Sequence, residues 1–477
     1  MSTSIQHLMQ TSGVGFGTSG VRGLVTHMTD EICFAYTLAF LQAINVKSNS
    51  RVALAVDLRP SSPAIAAACA AAIQHAGLQV DFCGAIPTPA LAFYAQQQGI
   101  IGIMVTGSHI PFDRNGIKFY GLAGEITKLD EANISSAVVS MPSGAHNMAL
   151  PEVNLAARQA YINRYLDFLL PNNLAGLTLG FYQHSSVARD VLTELLQALG
   201  AQVIALGRTE TFVPLDTEAV AKEDIISAKN WAKEHQFDAI FSTDGDADRP
   251  LIGDENGHWM RGDMVGLLCA EYLHAHAVVT PVSCNTAIEQ CNKFAKVTRT
   301  RIGSPYVIEA MQQMQADGLD NIVGFEANGG FLLGSILTKN GRTLAPLATR
   351  DATLPILALL AMAKEKGYKL SQLTDNLPAH FTASDRIQNF PTETSRSILQ
   401  KLGNDLSAID ALLSPMNVQA SAINQIDGLR ITLTNDEIIH FRPSGNAPEL
   451  RCYAEATSQA RAEQLTEASL RIIRGML

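Results

Sequence analysis

The sequence predicts an α/β protein: three consecutive βαβαβ-type α/β domains with mixed, mostly parallel sheets, then a C-terminal α+β domain, arranged around one central cleft. Three observations carry that expectation. The chain has 477 residues, and at roughly 100–200 residues per domain it divides into about three or four. A strand–helix–strand–helix–strand pattern recurs three times. Each repeat also closes on a strand that runs into a polar, Gly-containing loop, and ligands of open α/β sheets sit at the carboxyl ends of strands. The domains are expected at residues 1–150, 151–255, 256–375 and 376–477.

In the first repeat VALAVD (52–57) reads as a strand, and Ser61-Ser62-Pro63 caps an Ala-rich helix that stops at Gly77. LQVDF (78–82) follows as a strand, Thr88-Pro89 opens a helix closed by Gly99, and IIGIMV (100–105) runs into TGSH. Ser or Thr followed by Pro at a helix start and Gly at its end are the expected punctuation. The second repeat has LTLGFY (177–182), a helix over Val187–Leu199, QVIAL (202–206), a helix around Ile226–His235, and DAIFST (238–243) leading into DGDADR. The third has AVVTPVS (277–283), a helix from Thr286, VTRTRI (297–302), a helix from Ser304 to Ala316, and NIVGF (321–325) leading into EANGG. After Leu377-Pro378 the pattern changes to strands with tight turns, LRITLT (429–434), EIIHF (437–441) and LRCYAEA (450–456), and a closing helix.

Composition narrows the function. Hydrophobic residues make up 47% and charged residues 17%, enough apolar material for a core in each domain and against disorder. The net charge of −10 comes without a long basic run, which argues against nucleic acid as a partner. Seven Cys at 33, 69, 83, 269, 284, 291 and 452 are odd in number and form no CxxC pair. That argues against a disulfide framework or structural zinc and for a reducing compartment. MSTSIQHLMQTSG lacks a basic segment followed by an apolar run, so no secretory leader is expected. The most apolar stretch, LPILALLAM (354–362), contains Pro355 and is followed by KEK; a buried helix is expected there, not a membrane span. The expectation is a cytoplasmic protein with no membrane partner.

Five motifs carry candidate chemistry. DGDADR places Asp244, Asp246 and Asp248 at alternate positions directly after a strand. Three carboxylates from one short loop suit a hard divalent cation, Mg²⁺ in particular, with positions left open for a phosphate. A calcium-binding helix–loop–helix, suggested by Glu255 at the twelfth position, is excluded because Arg249 stands where that loop needs Gly and a strand precedes it. TGSHIPFDRNGIKFY (106–120) presents Ser108 and His109 at a strand tip beside Gly107, with Lys118 able to face the same loop; such a serine can be a nucleophile or phosphate carrier. GTSGVRG (17–23) carries Arg22, whose guanidinium and neighbouring amides could clasp an anion. FRPSGNAP (441–448) gathers Arg442, Ser444, the Gly445 amide and Asn446 as donors for a phosphate that is not transferred. GFEANGG (324–330) offers Glu326 and Asn328 to sugar hydroxyls.

Taken in order, GTSGVRG, TGSHIP…NGIK, DGDADRP, GFEANGG and RPSGNAPELR resemble the α-D-phosphohexomutase family of phosphomannomutases and phosphoglucomutases, from Gly17 to about Ala456. The resemblance implies a phosphoserine at Ser108, one Mg²⁺ held by Ser108, Asp244, Asp246 and Asp248, and a transfer site lined by Arg22, His109 and Lys118 with Arg249 beside the metal. It implies that Glu326 and Asn328 read the sugar, that Arg442, Ser444, Gly445 and Asn446 grip the distal phosphate, and that hexose 1,6-bisphosphate acts as intermediate and activator. The substrate implied is a hexose phosphate, mannose ahead of glucose, and monomer and homodimer stay open. The chain departs from the family pattern at Gly330 and at Ser304, where many members have His, at Asn328 for Ser, and at Asn446-Ala447 for Thr-Glu. The general acid and base are open between His109 and Lys118. Competing readings are a phosphoglucomutase or dual-specificity mutase, a metal-dependent sugar phosphatase, and a non-catalytic sugar-phosphate-binding protein.

Overall fold

The computed structural model describes residues 2–17, 20–46, 50–144, 146–443 and 449–476. In the first domain Arg51–Val56 pairs in parallel with Gln79–Ala85 and Ile101–Val105, and the helices Ser62–His75 and Thr88–Gln98 connect them. The second domain repeats this with Gln202–Leu206, Thr178–Tyr182 and Ala239–Thr243, and the third with Lys296–Thr300, Ala277–Pro281 and Ile322–Phe325.

Each sheet then turns antiparallel at the same place. Ile101–Val105 pairs with Arg114–Gly121, Ala239–Thr243 with Pro250–Gly253, and Ile322–Phe325 with Phe331–Leu333. The connections, 106–113, 244–249 and 326–330, are too short to hold a crossover helix, so the following strand has to return antiparallel. Those three connections are the serine, DGDADR and EANGG loops of the sequence. Beyond Arg114–Gly121, the first sheet adds Val21–Leu24 and Gly15–Phe16, so the GTSGVRG segment ends in a strand that carries Arg22 in register with Gly116.

The fourth domain is a five-stranded antiparallel sheet, in the order Phe381–Gln388, Glu449–Ala456, Ile438–Pro443, Leu429–Leu433, Ala420–Asn424, covered by helices Thr392–Leu402 and Gln459–Arg474. Its apolar cluster, Ala383 to Ile473, contains only its own residues. A larger cluster instead runs through all of the first three domains, from Ala53 to Leu373. Leu354–Ala363 lie buried in that cluster within the helix Thr353–Lys366, where Pro355 falls in the first turn and breaks no helical hydrogen bond. Among the described residues no helix is long and apolar enough to cross a membrane. All seven Cys are free thiols, six buried and Cys291 half-buried.

Three local readings need correction. The helix expected from Thr286 is one turn, Ala287–Gln290, ended before Asn292 at φ 53°. The second-domain helix begins at Lys222, earlier than expected. Ser61 and Thr88 do not cap their helices through their side chains. Ser61 Oγ accepts from Asn115 Nδ2 (2.8 Å), and Thr88 Oγ1 donates to Asp246 Oδ2 (2.6 Å).

Candidate active site

Ser108 stands at the carboxyl end of Ile101–Val105 with a left-handed backbone, φ 53°. For a residue with a Cβ this costs on the order of 1–2 kcal/mol and needs support from its surroundings. A buried pair supplies it. Arg59 donates from Nη2 to the carbonyls of Ser108 (2.9 Å) and Ile110 (2.5 Å), and from Nη1 to those of Pro111 (2.8 Å) and Arg114 (2.9 Å). Asp57 takes the Thr106 hydroxyl (2.8 Å) and the Gly107 amide (3.3 Å), and Thr106 Oγ1 in turn accepts from the Ser108 amide (2.8 Å). A Cβ at residue 107 would lie 2.5 Å from Arg59 Cζ, which is why glycine stands there. The Arg59 guanidinium also covers the Phe212 ring of the second domain at 4.0 Å, fixing the loop against its neighbour.

Across the domain boundary, Ser108 Oγ donates to Asp244 Oδ2 (2.6 Å). Asp244, Asp246 and Asp248 are buried, and one carboxylate oxygen from each falls within 4.8 Å of the others. Lys118, on Arg114–Gly121, donates to Asp246 Oδ2 (2.6 Å) and Asp248 Oδ2 (2.7 Å). Asp246 Oδ1 and Asp248 Oδ1 are buried without a hydrogen-bond partner among the described residues. Two orphaned carboxylate oxygens on one loop, with a serine oxygen opposite, fit a divalent cation. Burial, with Asp246 and Asp248 adding to it, pushes the Asp244 carboxyl well above its ordinary range. Burial acts the same way on Asp248, but Arg350, Lys118 and Arg249 overcome it and hold that carboxyl below its ordinary range.

His109 Nδ1 lies 3.3 Å from Ser108 Oγ and accepts from Arg249 Nη1 at 2.8 Å. Because arginine only donates, Nδ1 is the unprotonated nitrogen. Burial, then the Arg249 charge, hold His109 well below the ordinary histidine range, so the ring is neutral. The Arg22 side chain makes no hydrogen bond among the described residues; burial and Arg249 lower its pKa to about 10, with Asp246 and Asp248 acting the other way. Ser108, the three carboxylates and the basic side chains of Lys118, Arg22 and Arg249 therefore converge.

Residues of the EANGG loop are tied to the DGDADR loop through Arg350. Asn328 shapes its own turn, Oδ1 accepting from the Gly330 amide (2.9 Å) and its carbonyl from Thr217 Oγ1 (2.7 Å). Glu326 is paired with Arg350, which also holds Asp248. In the fourth domain Arg442 Nε donates to Asp427 Oδ1 (3.0 Å), beside a cavity of about 550 Å³ also lined by Arg301, Tyr306 and Arg396. Ser444, Gly445 and Asn446 lie outside the described residues.

Sequence reasoning missed Asp57, Arg59, Thr88 and Arg350. Asp57-Leu58-Arg59 puts charge directly after a buried strand, a signal that was present in VALAVDLR. Thr88 reads as a helix cap, and Arg350 has no local signal.

Comparison with known proteins gives the same organisation. Residues 13–141, 159–257 and 261–381 match the phosphoglucomutase/phosphomannomutase alpha/beta/alpha domains I, II and III, and residues 390–471 match the C-terminal domain. The chain is 48% identical over 476 residues to a phosphomannomutase of Salmonella muenchen, covering 98% of each protein. It is 43% identical over 470 residues to a phosphomannomutase of Sinorhizobium fredii, covering 97% of this chain and 99% of the relative. A phosphoglucosamine mutase of Thermodesulfovibrio yellowstonii is more distant, at 27% over 477 residues, covering 95% and 97%. In fold the chain is similar to the crystal structure of a phosphoglucomutase/phosphomannomutase family protein from Burkholderia thailandensis, with TM-score 0.74, 20% identity and coverage of 96% and 97%. Four matched domains in order and full-length relatives well above 30% identity decide the assignment: this chain belongs to the phosphoglucomutase/phosphomannomutase family, the α-D-phosphohexomutases.

Proposed function

We propose that the protein is an isomerase that interconverts mannose 1-phosphate and mannose 6-phosphate through a phosphoserine at Ser108 and a hexose 1,6-bisphosphate intermediate. The observation that carries the chemistry is Ser108 Oγ at 2.6 Å from Asp244, against three buried carboxylates and Lys118. The full-length relatives named phosphomannomutase support the choice of mannose.

In the forward direction the P–O bond to Oγ of phospho-Ser108 breaks as a bond forms to the free hydroxyl of the sugar phosphate. Oγ keeps the bonding electrons and the hydroxyl loses its proton. The bisphosphate then turns over in the cleft, and its other phosphoryl group returns to Oγ. Asp244, Asp246, Asp248 and the seryl phosphate would hold Mg²⁺, which neutralises charge on the transferring oxygens when bound. Lys118, Arg249 and Arg22 orient those oxygens by charge. The proton of the sugar hydroxyl is assigned to His109 or Lys118, the two groups beside the serine and its carboxylates that the sequence offers for it. Glu326 and Asn328 are assigned the sugar hydroxyls, and Arg442 with Ser444, Gly445 and Asn446 the distal phosphate. Burial of the serine and its carboxylates keeps bulk water from the phosphoryl group.

A coupled assay with Mg²⁺ and a catalytic amount of hexose 1,6-bisphosphate tests this, with mannose 1-phosphate and glucose 1-phosphate run in parallel. Isomerisation faster on mannose phosphate and abolished in Ser108→Ala is the expected result. Phosphate release without isomerisation, or turnover that survives Ser108→Ala, would overturn it.

A further inference from the structure

Arg350 belongs to none of the five motifs, yet it occupies the point where two of them meet. It sits on Leu347–Asp351, next to Phe331–Leu333 in the third sheet, and is 2% exposed. Its guanidinium is fully divided. Nε and Nη2 donate to Asp248 Oδ2 at 3.1 and 2.7 Å, and Nη1 donates to Glu326 Oε2 at 3.0 Å and reaches Ser304 Oγ at 3.4 Å. One rigid, planar group thus joins the DGDADR loop of the second domain to the EANGG loop of the third. Glu326 Oε1 is left without a hydrogen-bond partner among the described residues, so the carboxylate is turned and held with one oxygen to offer.

The loop is also cut to fit this side chain. Gly330 has no need of glycine for its backbone angles, since its φ lies outside the left-handed region. A Cβ there would stand 2.5 Å from Arg350 Cδ and 2.9 Å from Cγ. Gly330 and Ser304 both border Arg350.

We infer that Arg350 is a positioning residue that sets Glu326 for the sugar, acting as a strut of fixed length between the Asp248 and Glu326 carboxylates, with Gly330 as the space it requires. Two buried carboxylates on separate loops would repel each other and swing toward other donors without it. With it, the metal loop and the sugar loop keep one spacing, and that spacing sets which hydroxyl of a bound hexose phosphate Glu326 meets. The inference rests on the assignment of Glu326 to the sugar in the proposed function.

The test is calorimetric binding of mannose 6-phosphate to the full-length protein, without added metal and then with Mg²⁺. It compares wild type, Arg350→Ala, Arg350→Lys, Gly330→Ala, Glu326→Gln and Arg350→Ala/Glu326→Gln. We expect Arg350→Ala and Gly330→Ala each to weaken sugar-phosphate binding about tenfold or more. Gly330→Ala leaves the arginine charge in place and displaces only its stem, so it keeps the test open if Arg350→Ala folds poorly. Arg350→Lys should recover part of the loss, because one ammonium serves only one of the two carboxylates. The double variant should bind no worse than Glu326→Gln alone, because the strut acts through Glu326. Equal binding by wild type and Gly330→Ala, or additive losses in the double variant, would overturn the strut. Failure of wild type to bind mannose 6-phosphate would overturn the functional reading and the strut together, and is distinguished by occurring before any substitution.

Discussion

Where the first two domains meet, charge is buried. Lys118 reaches into Asp246 and Asp248, Ser108 into Asp244, and Arg59 lies on Phe212, while an apolar cluster runs continuously through the first three domains. Where the third meets the fourth, named contacts are polar and nearer the surface. His380 Nδ1 pairs with Glu455 (2.7 Å), Glu455 accepts the Thr286 amide (3.0 Å) and its hydroxyl, Asn285 Nδ2 donates to the His380 carbonyl (2.8 Å), and Asp427 accepts the Ile302 amide (2.9 Å). The fourth domain keeps its apolar core to itself. The difference separates two tasks. Phosphoryl transfer needs atoms held to within a fraction of an ångström, while a cleft that admits a sugar phosphate and lets a bisphosphate turn needs one wall that can shift.

The harshest way to break the contrast is Asp248→Ala. It strands Lys118, Arg249 and Arg350 around one missing carboxylate, and the expected cost is about 3–5 kcal/mol of stability with a loss of activity of about a thousandfold or more. Thermal unfolding and the coupled mutase assay read both, and a fourth domain that melts at an unchanged temperature would sharpen the division. Arg59→Lys comes next. Four carbonyls cannot be served by one ammonium, so about 2–3 kcal/mol and about a hundredfold in kcat should be lost, with KM for the sugar phosphate little changed.

Acid offers a third test because each region holds a buried neutral histidine that is hydrogen-bonded to a backbone carbonyl, His184 and His440. Burial lowers His184 in the second domain and His440 in the fourth to a pKa of about 4. In both, Nε2 donates to a backbone carbonyl, of Thr243 and Asp427, and among the described residues His440 Nδ1 is buried without a hydrogen-bond partner. The unfolded chain, with histidine near 6.5, binds more protons than the folded one between these values. Stability is therefore intact above about pH 6.5 and lost as pH falls toward 4, by about 2 kcal/mol per histidine at pH 5. Denaturant melts of His440→Gln should show a shallower pH dependence for the fourth domain only. A parallel change in the first three domains would mean that the regions unfold as one.

The smallest effect belongs to the His380–Glu455 pair. The Glu455 hydrogen bond raises the His380 pKa above its ordinary value, so this contact is at full strength below about pH 6.5 and weakens as pH rises through the raised value. Glu455→Gln should cost about 1 kcal/mol and increase hydrogen exchange at Thr286, while leaving the Ser108 loop as protected as before.

Much of this was legible in the chain because its signals are local. Three strands of each repeat, the DGDADR carboxylates and the serine tip lie within runs of a few residues. What escaped depended on partners far away. Arg350 pairs with Glu326 and with Asp248, which lies 102 residues off, and nothing in PLATRDATL distinguishes it from a surface arginine. Ser61 and Thr88 carried a correct helix-start signal with the wrong meaning for their hydroxyls. Pro63 and Pro89 start those helices without help, which leaves Ser61 for Asn115 and Thr88 for Asp246. The antiparallel strands of the first sheet, with Arg22 and Lys118 upon them, follow from loop length, which a strand-by-strand reading does not weigh.

Of the seven thiols, six are buried and only Cys291 is half-exposed, one residue past the short helix that begins beside Thr286 and Glu455. The wild-type chain thus carries one thiol that is not fully buried, on the third domain and five residues along the chain from Thr286, which bonds Glu455 of the fourth. A fluorophore placed there without any substitution could follow the opening and closing of the cleft in real time, during turnover.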